Sequence, residues 1–198
     1  MTNARRLAVF VSGGGRSLEN LADVIARGEL DAEIGLVLSN KASAYALERA
    51  ERLGLPAEVL DPKRELDADA FSAAAYELVQ SHDCGTIVLA GFLRLLRVPA
   101  AWEGRVLNIH PSLLPAFGGQ GYYGDRVHRA VLERGVQFTG CTVHYVTEEY
   151  DAGPILLQRC LRVNEDDTVD SLAARVFEEE KLALPEAVRR HLDSNARS

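Results

Sequence analysis

The chain has 198 residues, 47% apolar and 26% charged, with a net charge of −7 at pH 7. This suits one folded unit, taken here as residues 1–198, with a sizeable core. The acidic balance opposes broad binding to nucleic acid or to a membrane, and the odd cysteine count without CxxC spacing (Cys84, Cys141, Cys160) fits a reduced cytoplasmic protein rather than a disulfide framework.

The first apolar run, 7–11, is too short for a signal segment and ends in a glycine loop. No stretch is long enough to span a bilayer. Further β-branched runs lie at 34–38, 58–60 and 86–89. Helical patterns at 17–27, 44–53 and 70–80 separate them, with Gly54 as a stop for the second. This alternation predicts an α/β fold, a mostly parallel twisted sheet with helices on both faces. A strand is expected at 105–109. A loop at 117–124 follows, with four glycines in eight residues, long enough to bind a ligand. After a helix at 127–132 come strands at 141–146 and 155–163. A last helix is expected from Thr168 to His191, capped by Asp167 or Thr168. Pro185 should kink it or start a new segment.

The run Leu107-Asn108-Ile109-His110-Pro111 carries the chemistry. Residues two apart on a strand point the same way, so Asn108 and His110 project together, and Pro111 ends the strand there. An amide can donate to a carbonyl oxygen, and an imidazole can donate or move a proton. Asp151 lies in a glycine-containing loop after the strand that bears His144. A carboxylate beside an imidazole favours its charged form and raises its pKa. His144 supports this site from behind or simply packs.

Ser12-Gly13-Gly14-Gly15-Arg16-Ser17 links the first strand to the first helix. Glycines allow a tight turn, and a helix start aims N–H groups at an anion. The loop lacks the Lys-Ser/Thr ending of a triphosphate loop, and Leu18 breaks dinucleotide spacing. One phosphate group suits it; the plainer reading is a glycine turn capped by Ser17. His82 and His191 read as solvated, and His128, between Arg126 and Arg129, either lines an anion site or faces water. No spacing argues for a metal.

Several segments together resemble a known family. They are Val11-Ser12-Gly13-Gly14-Gly15, Leu38-Ser39-Asn40-Lys41-Ala42 with Leu47-Glu48-Arg49-Ala50, Val88-Leu89-Ala90-Gly91-Phe92-Leu93-Arg94-Leu95-Leu96, Asn108-Ile109-His110-Pro111-Ser112-Leu113-Leu114-Pro115, Thr139-Gly140-Cys141-Thr142-Val143-His144 and Asp151-Ala152-Gly153-Pro154-Ile155. The chain resembles the folate-dependent phosphoribosylglycinamide formyltransferases, with their Rossmann-like fold, over nearly its whole length. The resemblance implies formyl transfer from 10-formyltetrahydrofolate to the amine of glycinamide ribonucleotide in purine (IMP) biosynthesis, through a tetrahedral intermediate. Asn108 would bond the formyl oxygen, a protonated His110 would stabilise the oxyanion, and Asp151 would raise the His110 pKa. Gly15, Arg16 and Ser17 would hold the ribose phosphate, and Glu180 the glycinamide end. Leu93, Arg94, Leu95, Leu96 and Asn108 would bind the reduced folate, with the 147–151 loop at the pterin. No metal is implied, and the chain would act as a monomer or homodimer. Arg16 replaces the family's usual Ser or Thr. Ala68, with Arg64 shortly before it, stands near where many members carry a folate-binding arginine. A formyltetrahydrofolate deformylase and a silent folate- or phosphate-binding module are the alternatives.

Overall fold

The computed structural model describes residues 3–61 and 67–195. Elements run β1 (Asn3–Val11), α1 (Arg16–Ala26), β2 (Glu33–Ser39), α2 (Tyr45–Arg52), β3 (Ala57–Val59), α3 (Ala68–Ser81), β4 (Cys84–Leu89), a 3₁₀ turn (Ala100–Trp102), β5 (Val106–His110), α4 (Asp125–Arg134), β6 (Phe138–Tyr145), β7 (Ile155–Arg162) and α5 (Val169–Asn195). One seven-stranded sheet has the order β3-β2-β1-β4-β5-β6-β7. Its first five strands are parallel, and β6 and β7 are antiparallel. The expected α/β architecture is therefore present.

The strand β1 shows why helices cover both faces. Its side chains alternate: Leu7, Val9 and Val11 join one core cluster, Ala8 and Phe10 the other. The first cluster contains α1, α2, α4 and α5 side chains; the second contains Phe71, Ala75, Tyr76 and Val79 of α3 with Trp102. Leu18, Leu21 and Val24 recur on one face of α1 and are buried. Each contributes roughly 1.5–3 kcal/mol by leaving water.

Two expectations about the last helix are corrected. It continues through Pro185 as one element, so no new segment starts there. A proline leaves the carbonyl four residues earlier without its helical donor. That carbonyl belongs to Lys181, and Asn20 of α1 donates to it from Nδ2 at 3.0 Å. His191 is fully buried, between the Thr86 hydroxyl at 3.2 Å and the Tyr145 hydroxyl at 3.3 Å, not solvated. Its apolar neighbours Val188 and Leu192 keep its turn of α5 against the core. The helix start is as expected: Thr168 Oγ1 accepts from the Ser171 N–H, and Ser171 Oγ accepts from the Thr168 N–H.

Candidate active site

The strands β1 and β4 are neighbours, yet β1 leads away to β2 and β4 to β5. Such a reversal opens a crevice beyond the strand ends. A cavity of about 580 Å³ lies there, within the range of roughly 300–1,000 Å³ typical of small-molecule sites. Its wall includes Gly13 to Ser17 after β1, Gly91 to Leu96 after β4, Asn108 and His110 on β5, Asp151, and Glu180 on α5. The residues singled out from sequence thus meet in one place. His144 lines it as well.

Strand register places the polar centre. Leu107 and Ile109 point into the α1/α5 core, so Asn108 and His110 face the other way at the strand's last turn of the pleat. Asn108 stands directly opposite His144 of β6. The His144 Nδ1–H donates to the Tyr145 carbonyl at 2.9 Å, and Nε2 lies 3.0 Å from Asn108 Nδ2 and 3.5 Å from Asp151 Oδ1. The same amide nitrogen donates to Asp151 Oδ1 at 3.4 Å. The carboxylate fixes which way the amide faces, because only the NH₂ side can donate.

His110 is buried, at 4% exposure. Its Nε2–H donates to the Phe117 carbonyl at 2.8 Å, and its Nδ1 lies 3.5 Å from Asp151 Oδ2. That carbonyl is delivered by a braced turn. Ser112 Oγ donates to the Ala116 carbonyl at 2.6 Å, and Thr142 Oγ1 donates to the Ser112 carbonyl while accepting from the Leu114 N–H. Asp151 has φ +55 and accepts from the Gly119 N–H at 2.9 Å. A Cβ at Gly118 would stand 3.3 Å from the Asp151 Cβ, so this approach is tight for any larger residue.

Charge states follow from these partners. Burial lowers the His110 pKa; Asp151 and the Phe117 carbonyl oppose this without overcoming it. In the free site desolvation outweighs the neighbouring carboxylate. Both ring nitrogens nevertheless face acceptors, an arrangement that suits the imidazolium once further negative charge arrives. Burial pushes Asp151 up, but the His144 and His110 rings and the Gly119 N–H outweigh it, and its pKa is lowered. Glu180 is pushed up to about 7 by burial, with Arg16 opposing.

At the glycine-loop end, Gly15 (φ +73) caps α1, so Ser17 lies inside the helix and is not its cap. The Arg16 guanidinium lies 4.1 Å from the Phe177 ring centroid, over its face. At the opposite end Leu93 is half exposed and Leu96 is buried. Arg94 lies over the Phe71 ring at 4.5 Å and donates to the Asp67 carbonyl at 3.2 Å. Ala68 is the first residue of α3, and Arg64 lies outside the described residues. His128 is buried, with Nδ1 unpartnered among the described residues, and its pKa is lowered by burial. Tyr122 and Tyr123 of the 117–124 loop and Tyr150 of the 147–151 loop are in the cavity wall, and sequence reasoning missed Phe177 there. Phe177 had a signal, since it precedes Glu180 by three residues on one helix face. Also missed was a tie beneath the cavity: Ser12 Oγ donates to Asn40 Oδ1 at 2.6 Å and accepts from the Leu93 N–H at 2.9 Å.

The formyl transferase family matches residues 5–188. The chain belongs to this family. It is 44% identical over 190 residues to the chicken trifunctional purine biosynthetic protein adenosine-3, covering 95% of this chain and 18% of that protein. It is 40% identical to the chloroplastic phosphoribosylglycinamide formyltransferase of Arabidopsis thaliana, covering 93% of this chain and 64% of that protein. The chain thus spans less than two thirds of either relative. With the phosphoribosylglycinamide formyltransferase of Bacillus subtilis it shares 35% identity, covering 98% of this chain and 97% of that enzyme. Glycinamide ribonucleotide transformylase 1 from Symbiobacterium toebii superposes with a TM-score of 0.90 at 42% identity, over 96% of this chain and 88% of that one. Among the described residues no group of three or more His, Cys, Asp or Glu could hold a metal ion, and no helix is long and apolar enough to cross a membrane.

Proposed function

We propose that this formyl transferase moves the formyl group of 10-formyltetrahydrofolate to the amine of N1-(5-phospho-D-ribosyl)glycinamide, in de novo purine (IMP) biosynthesis. The observation that carries this reading is one cavity with Asn108, His110 and Asp151 between two unlike ends. One end is a glycine loop at a helix start, suited to a phosphate. The other is walled by Leu93, Arg94, Leu95 and Leu96, suited to a flat folate ring. The relatives' names support the choice of acceptor.

When bound, the formyl folate supplies an electrophilic carbonyl. Asn108 turns its amide N–H to the carbonyl oxygen, giving up the long 3.4 Å bond to Asp151. Negative charge growing on that oxygen adds to Asp151 and offsets the burial of His110, which then carries the proton. The amine nitrogen bonds to the formyl carbon and loses a proton. The bond from that carbon to N10 of the folate breaks, and N10 takes up a proton as tetrahydrofolate leaves. Asp151 holds the imidazole and takes part in moving that proton. His144 holds Asn108 from behind. Gly15, Arg16 and Ser17 bind the phosphate, and the Glu180 carboxylate holds the glycinamide end. We place the enzyme in the cytoplasm, as a single domain working as a monomer or homodimer, without nucleic-acid or membrane partners.

The test is a spectroscopic assay with 10-formyltetrahydrofolate, with and without glycinamide ribonucleotide. Folate product that depends on the ribonucleotide is the expected result. Equal product without it identifies a deformylase, and none from a folded sample points to a binding module or a different acceptor.

A further inference from the structure

The glycine loop is held from behind by α2, a helix that does not line the cavity. The Ala46 N–H donates to the Gly13 carbonyl at 3.0 Å. Arg49 Nε donates to the Gly14 carbonyl at 2.8 Å. Two successive carbonyls are thereby drawn towards α2. In a planar trans peptide the following N–H points opposite to the carbonyl. The N–H groups of Gly14 and Gly15 therefore turn away from α2, to the side where both residues line the cavity. Two adjacent N–H groups leading into the start of α1 form a concave cradle for an anion.

Arg49 is itself fixed on three sides. It pairs with Glu19 in the first turn of α1, its guanidinium lies 5.1 Å from the Tyr45 ring centroid, and its Nε holds Gly14. Gly15 leaves no room for slack on this side, since a Cβ there would stand 2.6 Å from the Ala46 Cβ and 3.5 Å from the Arg49 Cδ. Glu19 and Arg49 thus join the helix that starts at the cradle to the helix that backs it.

We propose that Arg49 is a positioning residue for phosphate recognition: it touches no ligand, and by fixing the Gly14 carbonyl it aims the loop's N–H groups at the phosphate. The inference deepens the function proposed above and rests on it for the identity of the full substrate. It makes Arg49 a determinant of the preference for a phosphorylated acceptor, in a way that cavity-lining residues do not reveal.

The test compares wild type with Arg49→Met, which keeps much of the side-chain bulk but neither donor nor charge, and with Arg49→Lys. Calorimetry reads the Kd for ribose 5-phosphate and for the folate separately. Steady-state kinetics compare glycinamide ribonucleotide with its phosphate-free riboside. Arg49→Met is expected to weaken ribose 5-phosphate at least 10-fold and to raise KM for the ribonucleotide similarly. Its kcat, its folate Kd and its KM for the riboside should stay within about three-fold, and Arg49→Lys, which keeps the charge but has no donor at the Nε position, should recover only part of the loss. Should Arg49→Met fail to fold, Glu19→Gln is read instead, with a smaller shift in the same direction. Unchanged ribose 5-phosphate binding, or equal losses for ribonucleotide and riboside, overturns the proposal, as does wild type that does not bind ribose 5-phosphate. Wild type that binds it but forms no formylated product sinks the transferase reading and leaves the cradle standing.

Discussion

The two ends of the cavity do their work with different parts of the chain. At the β5 end, side chains face the ligand: Asn108, His110 and Asp151, each oriented by a hydrogen bond to β6 or to the 117–119 turn. At the β1 end the glycine loop and Arg16 line the cavity, and Ala46 and Arg49 hold the loop's carbonyls from behind. The difference teaches that substitutions at the two ends should fail differently. Loss of a side chain at the β5 end removes transition-state stabilisation, whereas a change at the β1 end misplaces N–H groups that bind the ground state and transition state alike.

The largest separation is expected for His110→Ala, which should lower kcat by about 10²–10⁴-fold. Its KM for glycinamide ribonucleotide should change little, and equal losses in both would erase the contrast. Asn108→Ala comes next, losing on the order of 10²–10³ in kcat, the usual cost of one oxyanion donor. Gly15→Ala probes the other end, where φ is +73 and Ala46 Cα would lie 2.8 Å from the new methyl. It should destabilise the fold by about 1–3 kcal/mol in thermal melts and raise KM for the ribonucleotide more than it lowers kcat.

The smallest effect is expected at Glu180, near Arg16. A carboxyl pushed up to about 7 is charged only above that pH. The kcat/KM for the ribonucleotide should therefore fall as pH drops through 7, and Glu180→Gln should lower its plateau a few-fold and flatten that limb. Stability moves the other way. With a folded pKa above the ordinary carboxylate value, ionisation costs stability as pH rises from about 4.5 to 7 and fully above it. Glu180→Gln should therefore melt higher at pH 8, by about 1 kcal/mol because the side chain keeps some contact with solvent, and no differently at pH 4. An unchanged pH profile would show that Glu180 does not face the substrate's amine.

Strand-borne chemistry was legible because a strand has a fixed period. Asn108 and His110 share a face for that reason alone, and Pro111 marks where the face ends. The parallel half of the sheet was legible from its β-branched runs, although β1 starts at Asn3, four residues before its apolar stretch, where it pairs with Cys84. The partners of the site were not legible, since they join segments far apart in sequence. The Ser12–Asn40 bond spans 28 residues, the Arg49–Gly14 bond 35, and the Asn20–Lys181 bond that lets α5 run through Pro185 spans 161. His191 misled for the same reason: its place near a helix end suggested solvent, but tertiary packing set its burial. The direction of the His110 shift required the depth of the site as well as the identity of its neighbour.

The most direct test of the division between the two ends uses one sample of His110→Ala. Calorimetry gives its Kd for glycinamide ribonucleotide, and single-turnover kinetics gives its rate of formyl transfer. Binding within about three-fold of wild type, with transfer at least 100-fold slower, is the expected result. Transfer near the wild-type rate, or binding lost in step with transfer, would contradict the assignment of catalysis to the β5 end.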